Sequence, residues 1–308
     1  MYKAFFHLAH NPFDLTPNPA CFVPTKRHNE ALASLYYGVR RHKGFVVVTG
    51  EVGTGKTLLL RCLLQLLEDS KDIGYAYVFN SRLSATEFLQ YAMSDFGLSA
   101  TGKNKGELLF ELSQFLIARN AKKMTTVLIV DEAHDLSRDV LEEVRLLSNL
   151  ETRDDKLLQI LLVGQPELDA KLDSFGLRQL KQRIALRTHL EALTADETAK
   201  YIEQRLQIAG ADSASTALFP AESMSAVYRS SRGIPRLINT ICENSLIVAY
   251  ARQLPAVTPD IVEEVAREFR FDVTYSSGSV KADGPGEEDE QQTAAALIER
   301  QLYRREIF

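Results

Sequence analysis

The octapeptide Gly50-Glu51-Val52-Gly53-Thr54-Gly55-Lys56-Thr57 fits the pattern GxxxxGK[ST] and constrains the fold more than any other stretch of the chain. An apolar run, Phe45 to Thr49, precedes it, and a leucine-rich segment beginning at Leu58 follows. Such a loop needs glycines so that backbone N–H groups can curl around phosphates, and it must open a helix, whose N-terminus favours an anion. Strand, loop and helix are therefore imposed together. On average composition a chance match in a chain of this length is on the order of one in a hundred, and the flanking context lowers that further. The pattern puts Lys56 on the β- and γ-phosphates of ATP and Thr57 on Mg²⁺. The expected nucleotide contacts are Gly50, Glu51, Val52, Gly53, Thr54, Gly55, Lys56, Thr57 and the adjoining Leu58.

Further apolar runs at Val127 to Asp131 and Leu157 to Val163, with a weaker one at Tyr75 to Phe79, read as strands covered on both faces. Between them, Ser84-Ala85-Thr86-Glu87 opens a helix with a capping box. Leu108, Leu112, Phe115 and Leu116 mark a second helix, and Leu141, Val144, Leu147 and Leu150 a third. Strands alternating with helices predict a parallel, doubly wound α/β sheet. Beyond about residue 190 only helical patterns remain. Thr194 to Glu197 forms another capping box, and helices are expected near Ala221 to Ser231, from Pro235 to about Arg252, and from Thr258 with Pro259 in its first turn. The expected organisation is a lead-in and helix over residues 1–44, an α/β core over 45–192, a helical unit over 193–272, and an acidic linker or tail over 273–308. Ala294 to Arg305 is expected to form a short terminal helix.

The 308 residues carry 36 basic and 41 acidic side chains, a net charge of −5. Residues 276–308 hold four basic and seven acidic side chains, leaving −2 for the rest, so the body has no global attraction for nucleic acid. No apolar run approaches the roughly 20 residues that span a bilayer, and residues 1–25 lack a signal peptide's apolar stretch, so a cytoplasmic protein is expected. Cys21, Cys62 and Cys242 form no CxxC pair and read as packed thiols. The cluster Arg40-Arg41-His42-Lys43 before Gly44 reads as cations at a helix C-terminus.

The apolar run ending in Asp131-Glu132 brings two carboxylates to the carboxyl edge of the sheet, where open α/β folds bind ligands. About 70 residues after a phosphate loop, Asp131 is expected to support Mg²⁺, and Glu132 to orient or deprotonate the attacking water. His134 completes the string Asp-Glu-Ala-His found in helicases of the DEAH type and is read as a packing or loop residue. The chain is too short for the two nucleotide-handling domains of those helicases, and it lacks both their Ser-Ala-Thr and their glycine-spaced arginines.

A different resemblance fits. The phosphate loop, the Asp-Glu strand, Gly164-Gln165-Pro166-Glu167-Leu168, Gly233-Ile234-Pro235-Arg236 and the opening around Asn11-Pro12-Phe13 together resemble an AAA+ ATPase of the general secretion pathway protein A family. ATPases of exosortase-associated polysaccharide loci and target-selecting ATPases of transposons are similar over the same stretch, roughly residues 1 to 270. The resemblance implies an AAA+ core with a helical lid. It implies Gln165 as the polar sensor-1 side chain, where many members have Asn, Thr or Ser, and Arg236 as the sensor-2 arginine. It also implies an arginine finger for a neighbouring subunit, with Arg183 preferred over Arg178, just before a fifth strand at Thr188 to Leu190. Phe13 and Pro24 are implied at the adenine. The implied partners are further copies of the chain in a homo-oligomer, with a hexamer among the forms expected, and a cell-envelope secretion or polysaccharide-export protein. Members of the family continue into a membrane span and a peptidoglycan-binding region, whereas this sequence ends in an acidic stretch, so attachment at the inner membrane is expected only through a partner. Two alternatives stay open: a DNA-associated ATPase similar to transposition target selectors, and a nucleotide-gated adaptor with negligible turnover.

Overall fold

Five strands form one all-parallel sheet in the order β2-β3-β4-β1-β5, with β1 at Phe45–Gly50, β2 at Ile73–Val78, β3 at Thr125–Val130, β4 at Gln159–Gly164 and β5 at Ile184–Leu190. The computed structural model describes residues 2–79, 83–153, 155–211 and 218–269; the expected linker from 273 onward and the helix at 294–305 lie outside them. The three inner strands are buried at every position, which explains their unbroken Val, Ile and Leu runs. Each fully buried side chain of this kind contributes about 1.5–3 kcal/mol.

The described residues make two compact units. The sheet unit takes Lys26–Val52 and Leu59–Leu190, with helices that include Lys26–Arg40, Ala85–Asp95, Lys105–Ala121 and Arg138–Leu147. Its core runs from Phe45 and Val47 through Phe88 and Leu112 to Leu162 and Leu180. Reciprocal capping boxes start two of these helices, Ser84 with Glu87 and Asn104 with Glu107. At the end of Lys26–Arg40, Arg40 Nη1 donates to Asp72 at 2.7 Å, so this part of the basic cluster ties the helix to the approach to β2.

The helical unit takes the described residues up to Thr25, Gly53–Leu58, and those from Glu191 to Phe269. Its helices Ala195–Ile208, Ala221–Ser231, Pro235–Ala251 and Pro259–Glu268 enclose a second core that includes Phe6, Phe13, Phe219 and Leu246. A buried arginine fastens the lead-in to this unit: Arg205 Nε donates to Pro12 O at 2.6 Å, and its Nη2 to Asp14 O at 3.3 Å. The segment 1–44, read from the sequence as one piece, is thus divided, with its first part in the helical unit and the helix from Lys26 in the sheet unit.

Several boundaries differ from the sequence reading. Within the segment 1–44 the helix occupies Lys26–Arg40, its start supported by Lys26 and Arg27 pairing forward to Glu30. Leu157 and Leu158 are core residues that precede β4, and β5 starts four residues before Thr188. Phe79 lies past the end of β2 and is exposed.

Candidate nucleotide site

The phosphate loop leaves β1 at Gly50 and delivers Lys56 as the first residue of the helix Lys56–Glu68. Gly53 and Gly55 have φ of 84° and 100°, a region where an L side chain collides with its own backbone. No acidic residue occupies the first turn of the helix, so its positive end keeps its attraction for an anion. Lys56 and Thr54 are buried. Within the helical unit, Arg236 lies against this loop: its backbone N–H donates to Gly53 O at 3.1 Å, and a Cβ on Gly53 would come within 2.8 Å of Arg236 Cβ. Pro235 at the first helical position and the left-handed Gly233 before it fix where Arg236 starts its helix.

The carboxyl ends of β1, β4 and β3 lie side by side along one edge of the sheet, with Thr49 opposite Gly164 and Leu162 opposite Val130. At the end of β1 the buried Thr49 hydroxyl donates to Asp169 Oδ2 at 2.8 Å, and Arg187 Nε donates to the same carboxylate at 3.0 Å. This pins the strand that feeds the loop. Past β3, the buried Asp131 accepts the Tyr77 hydroxyl on Oδ2 at 2.8 Å and the Glu132 N–H on Oδ1 at 2.9 Å. Burial, with Asp131 close by, pushes the Tyr77 hydroxyl well above its ordinary range and keeps it a donor. Both contacts orient the Asp131 carboxylate.

Glu132 adopts the left-handed conformation, φ 50° and ψ 38°, which costs about 1–3 kcal/mol and is typical of functional turns. Its Oε2 is buried without a hydrogen bond. His134 Nδ1 stands 3.3 Å from that oxygen without a hydrogen bond between them, and accepts the Gln165 backbone N–H at 3.4 Å. The other ring nitrogen of His134 is 2.8 Å from the Gln165 side-chain amide nitrogen, just past β4.

The structure treats the two finger candidates differently. Arg183 is half-buried and donates through Nη1 to Ser148 Oγ and, at 3.4 Å, to Arg145 O, closing the C-terminal end of the helix Arg138–Leu147. Arg178 is exposed and lines a surface concavity with Asp173, Lys181 and the exposed Phe175. Phe13 has no exposed surface and packs edge-on to Phe219 at 5.8 Å between ring centres, so here it is a core residue; an adenine contact would require it to be uncovered. Pro24 is exposed.

A family model described as an AAA domain matches residues 39–172. General secretion pathway protein A of Aeromonas hydrophila is 42% identical over 286 residues, 92% of this chain and 51% of that protein. The chain has the AAA+ fold and is similar to general secretion pathway protein A over most of its length. It spans about half the length of that curated relative. Among solved structures, the Aeropyrum pernix ORC2 protein in its ADPNP-ADP complexes has a TM-score of 0.61 at 19% identity, over 84% of this chain and 71% of that one. Drosophila ORC bound to DNA has a TM-score of 0.63 at 20% identity, over 86% and 66%. At such identities the likeness is one of fold.

The sheet edge holds three partners that the sequence reading left without a site role: Tyr77, Thr49 and His134. Tyr77 had a visible signal, the alternation Tyr75, Tyr77, Phe79, but its partner Asp131 is 54 positions away. Among the described residues no helix is long and apolar enough to cross a membrane.

Proposed function

We propose that the chain binds ATP with Mg²⁺ on the loop Gly50 to Leu58 and hydrolyses it, as a homo-oligomer that drives assembly or operation of a cell-envelope secretion or polysaccharide-export system. The observation that carries the chemistry is the combination of a left-handed, two-glycine turn opening a helix at Lys56 with an oriented Asp131 followed by a strained Glu132. The donor set suits the metal, because Mg²⁺ keeps several waters and needs only one or two protein oxygens besides the phosphates, here the Thr57 hydroxyl and Asp131. Bound Mg²⁺ would supply charge neutralisation at the phosphates.

The remaining work belongs to this chain's side chains. Backbone N–H groups of the loop and Lys56 hold phosphate oxygens, Glu132 accepts a proton from water, and Gln165 and Arg236 donate hydrogen bonds to the terminal phosphate. Of the two finger candidates, Arg178 fits a role in a neighbouring subunit better, since Arg183 is engaged within its own chain. The secretion assignment is supported by the 42% identity to general secretion pathway protein A.

Two substitutions test the reading. Lys56→Ala removes a charge-assisted contact worth about 1.5–3 kcal/mol and should weaken a fluorescent ATP analogue tenfold or more. Glu132→Gln should bind the analogue like the wild type while phosphate release collapses. Unchanged affinity in the first variant, or undiminished turnover in the second, rejects the respective role.

A further inference from the structure

Around Glu132 the backbone is clamped and the side chains are not. Lys171 Nζ donates to the carbonyl of His134 and, at 3.0 Å, to that of Leu136, and the end of β4 abuts the same turn, since a Cβ on Gly164 would lie 3.0 Å from His134 N. Inside this fixed turn the imidazole of His134, 11% exposed, touches two groups that belong to different strands. Gln165 meets both ring nitrogens: its backbone N–H reaches Nδ1 at 3.4 Å, which needs a lone pair there, and its side-chain amide nitrogen, which can only donate, stands 2.8 Å from Nε2, a shorter contact that needs the ring proton on Nδ1. With the proton there, Nδ1–H is the donor nearest the buried and unsatisfied Glu132 Oε2, at 3.3 Å. Turning the amide over would place the ring lone pair against the carboxylate instead. Asp135 also faces the ring, its Oδ1 3.7 Å from Nε2, and Lys171 approaches His134 at its backbone carbonyl.

We propose that His134 is a positioning residue that links Gln165 to Glu132, its imidazole passing one chain of contacts from the amide past the end of β4 to the carboxylate past the end of β3. A small ring rotation completes the Nδ1–H to Oε2 hydrogen bond, so whatever engages the Gln165 amide also sets whether Glu132 is held or released. The site thereby couples the group that contacts the terminal phosphate to the group that activates water. This inference rests on the ATPase reading given above.

The test has a ligand-free arm and a kinetic arm. In the first, protein labelled with ¹⁵N-histidine gives ring signals from only six histidines, and His134 is assigned by its loss in His134→Asn. Gln165→Ala and Glu132→Gln should each move the His134 ring nitrogens and leave the other five histidines in place. His134 signals that respond to neither substitution overturn the link.

In the second arm, His134→Ala, and His134→Phe as a variant that preserves bulk, should lower kcat roughly 10- to 100-fold, the usual loss for a partner that orients a reacting group. ATP-analogue affinity should stay within about twofold of the wild type. His134→Asn, which keeps one donor and one acceptor, should recover part of the loss. The double variant His134→Ala, Gln165→Ala should be no slower than the slower single variant, and losses that multiply overturn the coupling. The two levels of the argument separate cleanly. A wild type that binds ATP without turnover fails the ATPase reading while the ligand-free arm still decides the link; a wild type silenced by Glu132→Gln but indifferent to His134 substitutions fails the link alone.

Discussion

Replacing Gly53 by Ala asks two separable things of the structure. The residue sits at φ 84°, where an alanine pays about 1–2 kcal/mol for its own Cβ. In addition the new methyl would lie 2.8 Å from Arg236 Cβ and 3.0 Å from Ile234 Cγ2, neither of which is the free end of a long side chain. Overpacking of that kind adds about 1–3 kcal/mol. Relief by separation breaks the hydrogen bond from Arg236 N–H to Gly53 O at 3.1 Å, worth about 1 kcal/mol. The expected total is about 2–5 kcal/mol in the unfolding of the helical unit.

Gly97 supplies the control, because it has a similar φ of 80° but nothing within 4 Å of an added Cβ. Gly97→Ala should therefore cost only the backbone share, about 1–2 kcal/mol. Urea denaturation followed by circular dichroism measures both, with the transition of each unit fitted separately since a two-unit chain need not unfold in one step. Binding of a fluorescent ATP analogue should also weaken in Gly53→Ala. If that variant loses no more stability than Gly97→Ala and binds nucleotide normally, the close approach of Arg236 to the loop is not a feature of the folded protein.

Three further outcomes follow from single contacts. Tyr77→Phe removes the hydroxyl that orients Asp131 and should destabilise the sheet unit by about 1.5–3 kcal/mol while lowering turnover; wild-type values of both in melting and phosphate-release assays reject the role. Glu243 accepts the Tyr2 hydroxyl at 2.8 Å, and burial pushes its carboxyl above the usual range. The folded state therefore holds that proton more tightly than the unfolded chain, and this stability is full below the unfolded carboxylate pKa and lost as pH rises through the folded one. Glu243→Gln keeps an acceptor for Tyr2, so its melting temperature relative to wild type should improve between pH 4 and pH 7, and an advantage independent of pH contradicts the assignment. Arg183→Ala should lower stability through the lost contacts to Ser148 and Arg145, whereas Arg178→Ala should leave melting unchanged and reduce turnover. Mixing Arg178→Ala with Glu132→Gln should restore part of that turnover, and the absence of any recovery counts against a finger supplied by a neighbour.

How much of this was legible before the fold depends on how far apart the cooperating residues lie. The phosphate loop is contiguous and its chemistry is written in consecutive residues, as is Asp131-Glu132 at the end of a run buried on both faces. The edge strands were harder. In β5, Ile184, Leu186 and Thr188 are half-buried while Ala185, Arg187 and His189 are exposed, so Arg187 interrupted the apolar run and shortened the strand to its last residues in a reading that looked for unbroken apolar runs. A search for period-two alternation would have recovered it.

The partners of the carboxylates could not be recovered that way, because they depend on strand order and register. Tyr77 pairs with Ile129 across β2 and β3, and side chains two apart on a strand share a face, so Asp131 falls on the same face as Tyr77 and diagonally next to it. That step needs β2 beside β3, and no local pattern chooses between this neighbour and β1. The same holds for His134 and Gln165, separated by 31 positions and joined only because β4 lies between β3 and β1. A histidine in an Asp-Glu-Ala-His string reads as a loop residue until the strand order sets a glutamine beside it. From then on Nε2 faces the Gln165 amide and Nδ1 faces both the Gln165 N–H and Glu132, and a packing role no longer accounts for where they point.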